Sequence, residues 1–390
     1  MWGGAKLPHR RQHSTTLPDY GTPELGLCAG EGPGISHPAR NNGGDPPVRR
    51  IVKAITYSTT GDIDVLRLTE RPIPVPGPGE VRVRVRVSGV NPTDWKTRVG
   101  GGPGQPTPFP EVVPNQDGAG TVDALGMDVD DLEIGQRVWL WEAGWQRADG
   151  TAQEYVVLPA RQVVPLPEHA SFDLGASLGI PALTAHRCLT VADGGPDRLA
   201  PGALLGRVVL VAGGAGAVGH AAIQLARWAG AQVISTVSGP EKAALAHAAG
   251  AAHVVNYRSA DAARSIREAA PNGVDVVVEV APVANAELDV AVLAGNGVVA
   301  AYANDAGELA VPVRLAMVHN IRYQFVLVYT VPQRAKDHAV ADVRAAVRAG
   351  ELGVGGQAGL PLHRFPLERT ADAHAAVQAG AVGKVLIDVG

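Results

Sequence analysis

Cysteine is nearly absent from this 390-residue chain: Cys28 and Cys188 are the only two. Two thiols cannot build a disulfide-stapled scaffold or a four-cysteine zinc lobe. Aromatic residues are also few, at 4%. No run of about 18 uninterrupted apolar residues occurs, so no segment is expected to cross a membrane as a helix. Neither charge sign dominates. Lys and Arg number 34 against 38 Asp and Glu, a net charge of −4, which excludes a generally basic nucleic-acid binder. Hydrophobic residues are plentiful at 46%, enough for the cores of about two or three domains. Glycine (48) and proline (30) are abundant too, and they are unevenly spread.

Residues 1–50 carry 9 Gly and 7 Pro and no hydrophobic run. Such a composition predicts a disordered extension. It has no 7–15-residue apolar core of a secretory signal, and Arg10-Arg11 is not followed by one. A cytoplasmic location is therefore expected. A folded pattern begins near Ile51. Val81-Arg82-Val83-Arg84-Val85-Arg86-Val87 alternates strictly and predicts a half-buried strand with a solvated arginine face. Short strands are also expected at 51–57, 119–124, 137–141, 153–158 and 161–164. Their Gly/Pro punctuation points to a small barrel or sandwich across 51–172.

The period changes from about residue 173. Strands at 207–212, 232–236, 253–256, 275–280 and 297–302 alternate with helical segments. That alternation predicts a doubly wound parallel sheet over 173–330. The apolar run Tyr323–Tyr329 reads as its edge strand. Two helices, 336–349 and 367–380, and a last strand at 384–389 close the chain. Between the first strand and first helix lies Gly214-Ala215-Gly216-Ala217-Val218-Gly219. This G-x-G-x-x-G, in strand–turn–helix context, predicts a dinucleotide site. Its first glycine would permit the turn, the second the approach of a pyrophosphate, and the third close helix packing. The helix N-terminus would meet the phosphates. An acidic residue usually ends the second strand of an NAD site. Here none occurs from His220 to Pro240, and Ser238, Lys242 and, after the third strand, Tyr257 follow instead. Hydroxyls and a lysine suit a 2′-phosphate, so NADPH is the expected cofactor.

Four further segments then make the chain resemble the medium-chain dehydrogenase/reductase superfamily, in its zinc-free quinone reductase branch. They are Gly89-Val90-Asn91-Pro92, Gly179-Ile180-Pro181-Ala182-Leu183-Thr184-Ala185, Val278 to Asn285, and Gly383-Lys384-Val385. The resemblance runs from about Lys53 to the C-terminus. It implies an α/β fold, with a GroES-like β-barrel catalytic domain (51–172, completed by 331–390) and an inserted Rossmann domain. It implies that Asn91 and Thr184 stand at the nicotinamide and substrate. Gly216, Ala217 and Val218 would cradle the pyrophosphate, Ser238, Lys242 and Tyr257 would hold the adenosine phosphate, and Lys384 would approach the cofactor across the cleft. It also implies a homodimer built on the 323–329 edge.

Zinc-using relatives place a Cys and a Gly-His-Glu where this chain has Gly89–Asp94 and Asn115-Gln116-Asp117-Gly118. Asp94 and Asp117 alone do not supply a catalytic zinc triad. The short-chain alternative needs Tyr-x-x-x-Lys, which none of the seven tyrosines provides. Without a metal, alcohol oxidation is disfavoured, and reduction of an electron-poor quinone or enone is the expected chemistry. Relatives often carry a tyrosine shortly after G-V-N-P, where this chain has Thr93-Asp94-Trp95-Lys96. Trp139, Trp141 and Trp145 are either acceptor-pocket or packing residues. Two readings compete with quinone reduction: an NADPH-dependent enone reductase, and a non-catalytic NADPH- or RNA-binding protein.

Overall fold

A computed structural model describes residues 51–304 and 307–390, so the extension 1–50 predicted to be disordered lies outside the described residues. The first lobe opens with β1 (Ile51–Thr56) and β2 (Arg67–Pro72), an antiparallel pair. β3 (Glu80–Val90) follows, then helix α1 (Pro92–Val99), β4 (Asp117–Leu125), β5 (Arg137–Leu140), β6 (Tyr155–Pro159) and β7 (Val163–Pro165). On β3 the alternation holds: Val81, Val83, Val85 and Val87 are buried, while Arg84 is exposed. Arg82 pairs with Asp123 (2.6 Å), and Arg86 donates to the Gly390 carbonyl. Arg82 and Arg86 are thus engaged locally on the outer face.

Helix α2 (Phe172–Leu189) leads out of this lobe and is buried along nearly its whole length. It packs on β4 and β5 and also on α3 (Ala217–Trp228) and α8 (Gln333–Arg348), so it is the spine between the lobes. Its sequence allows this closeness. A Cβ on Gly179 would run into the Asp117 carboxylate, and one on Gly175 would meet Ala119 Cβ at 2.7 Å.

The second lobe alternates strand and helix: β8 (Val208–Ala212), α3 (Ala217–Trp228), β9 (Gln232–Val237), α4 (Pro240–Ala249), β10 (His253–Asn256), α5 (Ala262–Ala269), β11 (Val274–Glu279), α6 (Pro282–Val292), β12 (Leu293–Ala301), α7 (Val313–Val318) and β13 (Arg322–Phe325). The six strands are all parallel in the order β10-β9-β8-β11-β12-β13. The order reverses direction beside β8, which is where a doubly wound sheet binds its ligand.

α8 (Gln333–Arg348), β14 (Leu362–Pro366), α9 (Thr370–Gln378) and β15 (Lys384–Asp388) then return the chain to the first lobe. β15 pairs antiparallel with β3, with Val385 opposite Val90. The first lobe's main sheet therefore runs β14-β15-β3-β4-β5-β7, with β6 also on β3.

One expected element is shorter in the structure. The apolar run 323–329 forms an edge strand only over Arg322–Phe325. Beyond it Val326, Val328 and Tyr329 turn inward and join the core that α2 shares between the lobes. Hydrophobicity alone could not distinguish the edge strand from the buried turn that follows it.

Candidate active site

The glycine loop leaves β8 at Ala212 and enters α3 at Ala217. The tight turn is made by Gly213, at φ +70°, one residue before the motif. Gly214 serves packing, because a Cβ there would run into Ser235 Oγ on β9. Gly219 serves it too, because a Cβ would strike the Gly213 carbonyl. Gly216 differs. A Cβ there meets only the Gly213 oxygen at 3.4 Å, so its bare backbone faces open space. A close-approaching phosphate fits that gap, with Ala217, Val218 and Gly219 presenting the first amides of α3. Gly216 also forms a β-bridge to Gly383, so the loop touches the segment that carries Lys384.

At the end of β9, Ser235 Oγ is spent on the Val211 carbonyl and Thr236 is buried, which leaves Ser238 half-buried. Lys242 sits in the first turn of α4, half-buried. The Tyr257 amide donates to the Val237 carbonyl (3.1 Å), which sets Tyr257 beside Ser238 on the neighbouring strand end. Its ring is 41% exposed, and the Arg258 guanidinium lies 5.9 Å from its centre. Arg258 adds a second cation that the sequence reading did not single out.

A buried polar cluster stands where β3, β4, α2 and β15 converge. Asn91 follows the last residue of β3 and caps α1, which Pro92 starts. The Asn91 amide nitrogen donates to Asp117 Oδ2 (2.7 Å), and its oxygen accepts from Lys384 Nζ (2.8 Å). Lys384 Nζ is 3.5 Å from the same carboxylate, whose other oxygen accepts the Ile180 N–H (2.8 Å). Asp94 accepts the Asn91 N–H (2.6 Å). Lys384 is only 1% exposed, so its ammonium points into this cluster. Burial pulls the Lys384 pKa down and pushes that of Asp117 up, while their mutual attraction opposes both shifts. Burial, reinforced by repulsion from Asp117, raises Asp94 to about 8. Lys384 and Asp117 stand at ion-pair distance, 3.5 Å, inside this buried cluster.

Beside this cluster the lobes touch through side chains. The Thr93 hydroxyl in α1 is 2.8 Å from the Tyr329 hydroxyl. The Tyr329 ring stacks on Trp145 at 4.6 Å. Lys336 of α8 bonds both Glu142 Oε2 and the Tyr329 carbonyl, each at 2.7 Å. Glu142 and Gln146 hold positive φ angles of 50° and 55°, so the loop after β5 is strained here, as functional loops often are. Trp139 and Trp141 are core residues, which excludes them from an acceptor pocket, and only half-buried Trp145 reaches the rim. Thr184 is buried on α2. Tyr329, Glu142 and Lys336 escaped the sequence reading. They are joined across 194 residues between Glu142 and Lys336, with no local pattern to mark them. Among the described residues no group of three or more His, Cys, Asp or Glu could hold a metal ion.

Two buried histidines give this region an acid sensitivity. His220 bonds the Ala358 carbonyl and His374 bonds Asn115 Oδ1. Desolvation lowers them to about 4 and about 3. Unfolded, each would titrate near 6.5. Between these values the unfolded chain binds the extra proton, so each histidine's cost appears as pH falls below about 6.5. His220→Gln is expected to remove one such proton. Relative to the unsubstituted protein, the variant should gain about 1.4 kcal/mol per pH unit between pH 6.5 and 4. Denaturant titrations at several pH values measure this, and parallel pH profiles for the two proteins would contradict it.

Residues 77–168 match the family described as the alcohol dehydrogenase GroES-like domain. Residues 217–344 match the zinc-binding dehydrogenase family. The quinone oxidoreductase of Pongo abelii is 27% identical over 345 residues, which cover 87% of this chain and 98% of the relative. Among solved structures, an NAD-dependent alcohol dehydrogenase superposes with a TM-score of 0.74 at 28% identity, covering 87% of this chain and all of that one. A mycobacterial protein solved with NADPH gives 0.70 at 28% identity, covering 86% and 99%.

Proposed function

Because this chain belongs to the medium-chain dehydrogenase/reductase superfamily, in its quinone oxidoreductase branch, we propose that it is a zinc-free, NADPH-dependent reductase of quinones. The observation that carries the reading is the placement of Lys384. Its amine lies between Asn91 and Asp117, so a basic side chain already faces the carboxyl group that a metal would need. The donor set lacks thiolate and imidazole and does not fit a catalytic zinc. The glycine loop does fit a dinucleotide, with the open backbone at Gly216 for its pyrophosphate. Ser238, Lys242, Tyr257 and Arg258 would hold the 2′-phosphate. Bound NADPH would supply the hydride. Asn91, held by Asp117 and Lys384, would orient the reacting groups together with Thr184. The buried walls around them would exclude water.

NADPH oxidation followed optically, with a quinone and separately with an enone, tests this, each with and without a chelator. Quinone-dependent turnover indifferent to the chelator is expected. Turnover with the enone alone would move the protein to the alkene reductases. Tight NADPH binding with no turnover on either would sink the enzymatic reading in favour of a non-catalytic binder.

We further propose a homodimer across β13, the last strand of its sheet. Phe325 at 63% exposure and the exposed Val313, Met317 and Val318 of α7 leave an apolar edge that a second copy would cover by two-fold pairing. Twice the monomer mass in solution is expected, falling to the monomer in Phe325→Lys. A monomeric unsubstituted protein would refute it.

A further inference from the structure

Tyr329 occupies an unusual place. It belongs to the short turn at Val328–Thr330, between β13 and α8, yet its ring lies against the first lobe. Its hydroxyl meets Thr93 in the first turn of α1, two residues after Asn91. From Asn91 the hydrogen-bonded path runs to Lys384, and from the adjoining Gly383 by a β-bridge to Gly216 of the glycine loop. The two hydroxyls and the cradle thus belong to one connected seam between the lobes.

Two hydroxyls carry two protons between them. Their mutual hydrogen bond uses one. Whichever oxygen donates, one O–H proton remains to be given elsewhere. The surroundings keep it available. Burial, with Asp94, Asp117 and Glu142 facing the ring, holds the Tyr329 phenol well above its ordinary value, so it does not become a phenolate at working pH. A neutral hydroxyl donor suits an uncharged carbonyl oxygen. On such an oxygen charge develops only during reduction, when the hydrogen bond strengthens.

We propose that the Tyr329–Thr93 hydroxyl pair is the acceptor-recognition site, donating one hydrogen bond to the carbonyl oxygen of a quinone or enone stacked near Trp145. This deepens the function proposed above and rests on it. Bound NADPH would supply a hydride, an electron pair with its hydrogen, to the electron-poor atom of the acceptor. Negative charge would then gather on the carbonyl oxygen, and a proton from bulk water would neutralise it as the product leaves. The hydroxyl pair holds that oxygen and loses no proton overall. The same geometry would favour acceptors with a polarised C=O.

The variant Tyr329→Phe removes the hydroxyl and keeps the ring that stacks on Trp145. Quinone binding to the cofactor-free protein, read as quenching of tryptophan fluorescence, is expected to weaken about 5-fold. With cofactor, kcat/KM for the quinone should fall about 30-fold, in the range for a hydrogen bond to a charged group. NADPH affinity should be unchanged. Thr93→Ala should give a smaller loss, recovered in Thr93→Ser. These serine and alanine variants carry the test if Tyr329→Phe does not fold. Unchanged quinone affinity and kcat/KM in Tyr329→Phe would overturn the proposal and leave the pair as a latch between the lobes. Equal losses of NADPH and quinone affinity would also overturn it, since they would mark a general disturbance. Failure of the function itself is distinguishable, because the unsubstituted protein would then turn over neither acceptor.

Discussion

Replacing Lys384 with methionine is expected to destabilise the protein by about 3–5 kcal/mol, the cost of stranding a buried charge. Methionine fills much of the same volume but leaves Asp117 with no cation inside a cluster that is closed to water. Asp117 would keep the Ile180 N–H and the Asn91 amide as donors, so its charge would be solvated only in part. The carboxyl would escape by taking a proton, which raises its pKa still further than burial already does. The loss should therefore be largest at neutral pH and smaller in acid. Asp117→Asn in the Lys384→Met background should recover part of it, because the stranded charge is then gone. Denaturant unfolding of the four proteins of this cycle measures the coupling. A Lys384→Met loss below about 1 kcal/mol would show that the pair does not hold the lobe together.

Removing both cations at the end of the second and third strands, in Lys242→Ala/Arg258→Ala, should weaken NADPH binding about 100-fold while leaving NADH binding nearly as it was. Each charge-assisted hydrogen bond to a phosphate carries about 1.5–3 kcal/mol, so losing both at partly exposed sites is consistent with that factor. The expectation rests on position. Lys242 lies in the first turn of α4, and Arg258 follows Tyr257, whose backbone is tied to Val237. NADH has no 2′-phosphate and would not register the loss. Fluorescence titration with each nucleotide separates the cases. Equal weakening of both would mean that these side chains act through the loop backbone. A protein that binds NADH better than NADPH before any substitution would reverse the proposed preference.

Much of the architecture was legible because it is periodic. The alternation in Val81–Val87 marks a strand whose valines are buried and whose Arg84 is exposed, as found. The β/α alternation from residue 207 marks the parallel sheet, and β10 falls at the expected 253–256. The glycine loop was legible for a different reason: close approach of backbone to backbone tolerates only glycine at Gly214 and Gly219. The role expected of the first motif glycine was displaced by one residue, because the positive φ falls on Gly213.

The candidate site was only half legible. Asn91, Lys384, Ser238, Lys242 and Tyr257 sit in short motifs or next to strand ends, and a motif is a local object. Nothing local announces that Lys384 turns inward to bond Asn91 across 293 residues of sequence. Likewise Thr93-Asp94-Trp95-Lys96 shows no tyrosine, and the fold delivers one, Tyr329, from 236 residues away. Legible in the residues alone were the valine strand, the β/α alternation, the glycine loop between strand and helix, and the missing acid at the second strand end. Those properties depend on side-chain period, on the missing Cβ of glycine and on charge within one strand–turn–helix unit. Tertiary structure alone decided which buried groups share protons and which hydroxyls face the seam between the lobes. Desolvation and hydrogen bonding act over about 3 Å in space, and that distance carries no memory of separation along the chain.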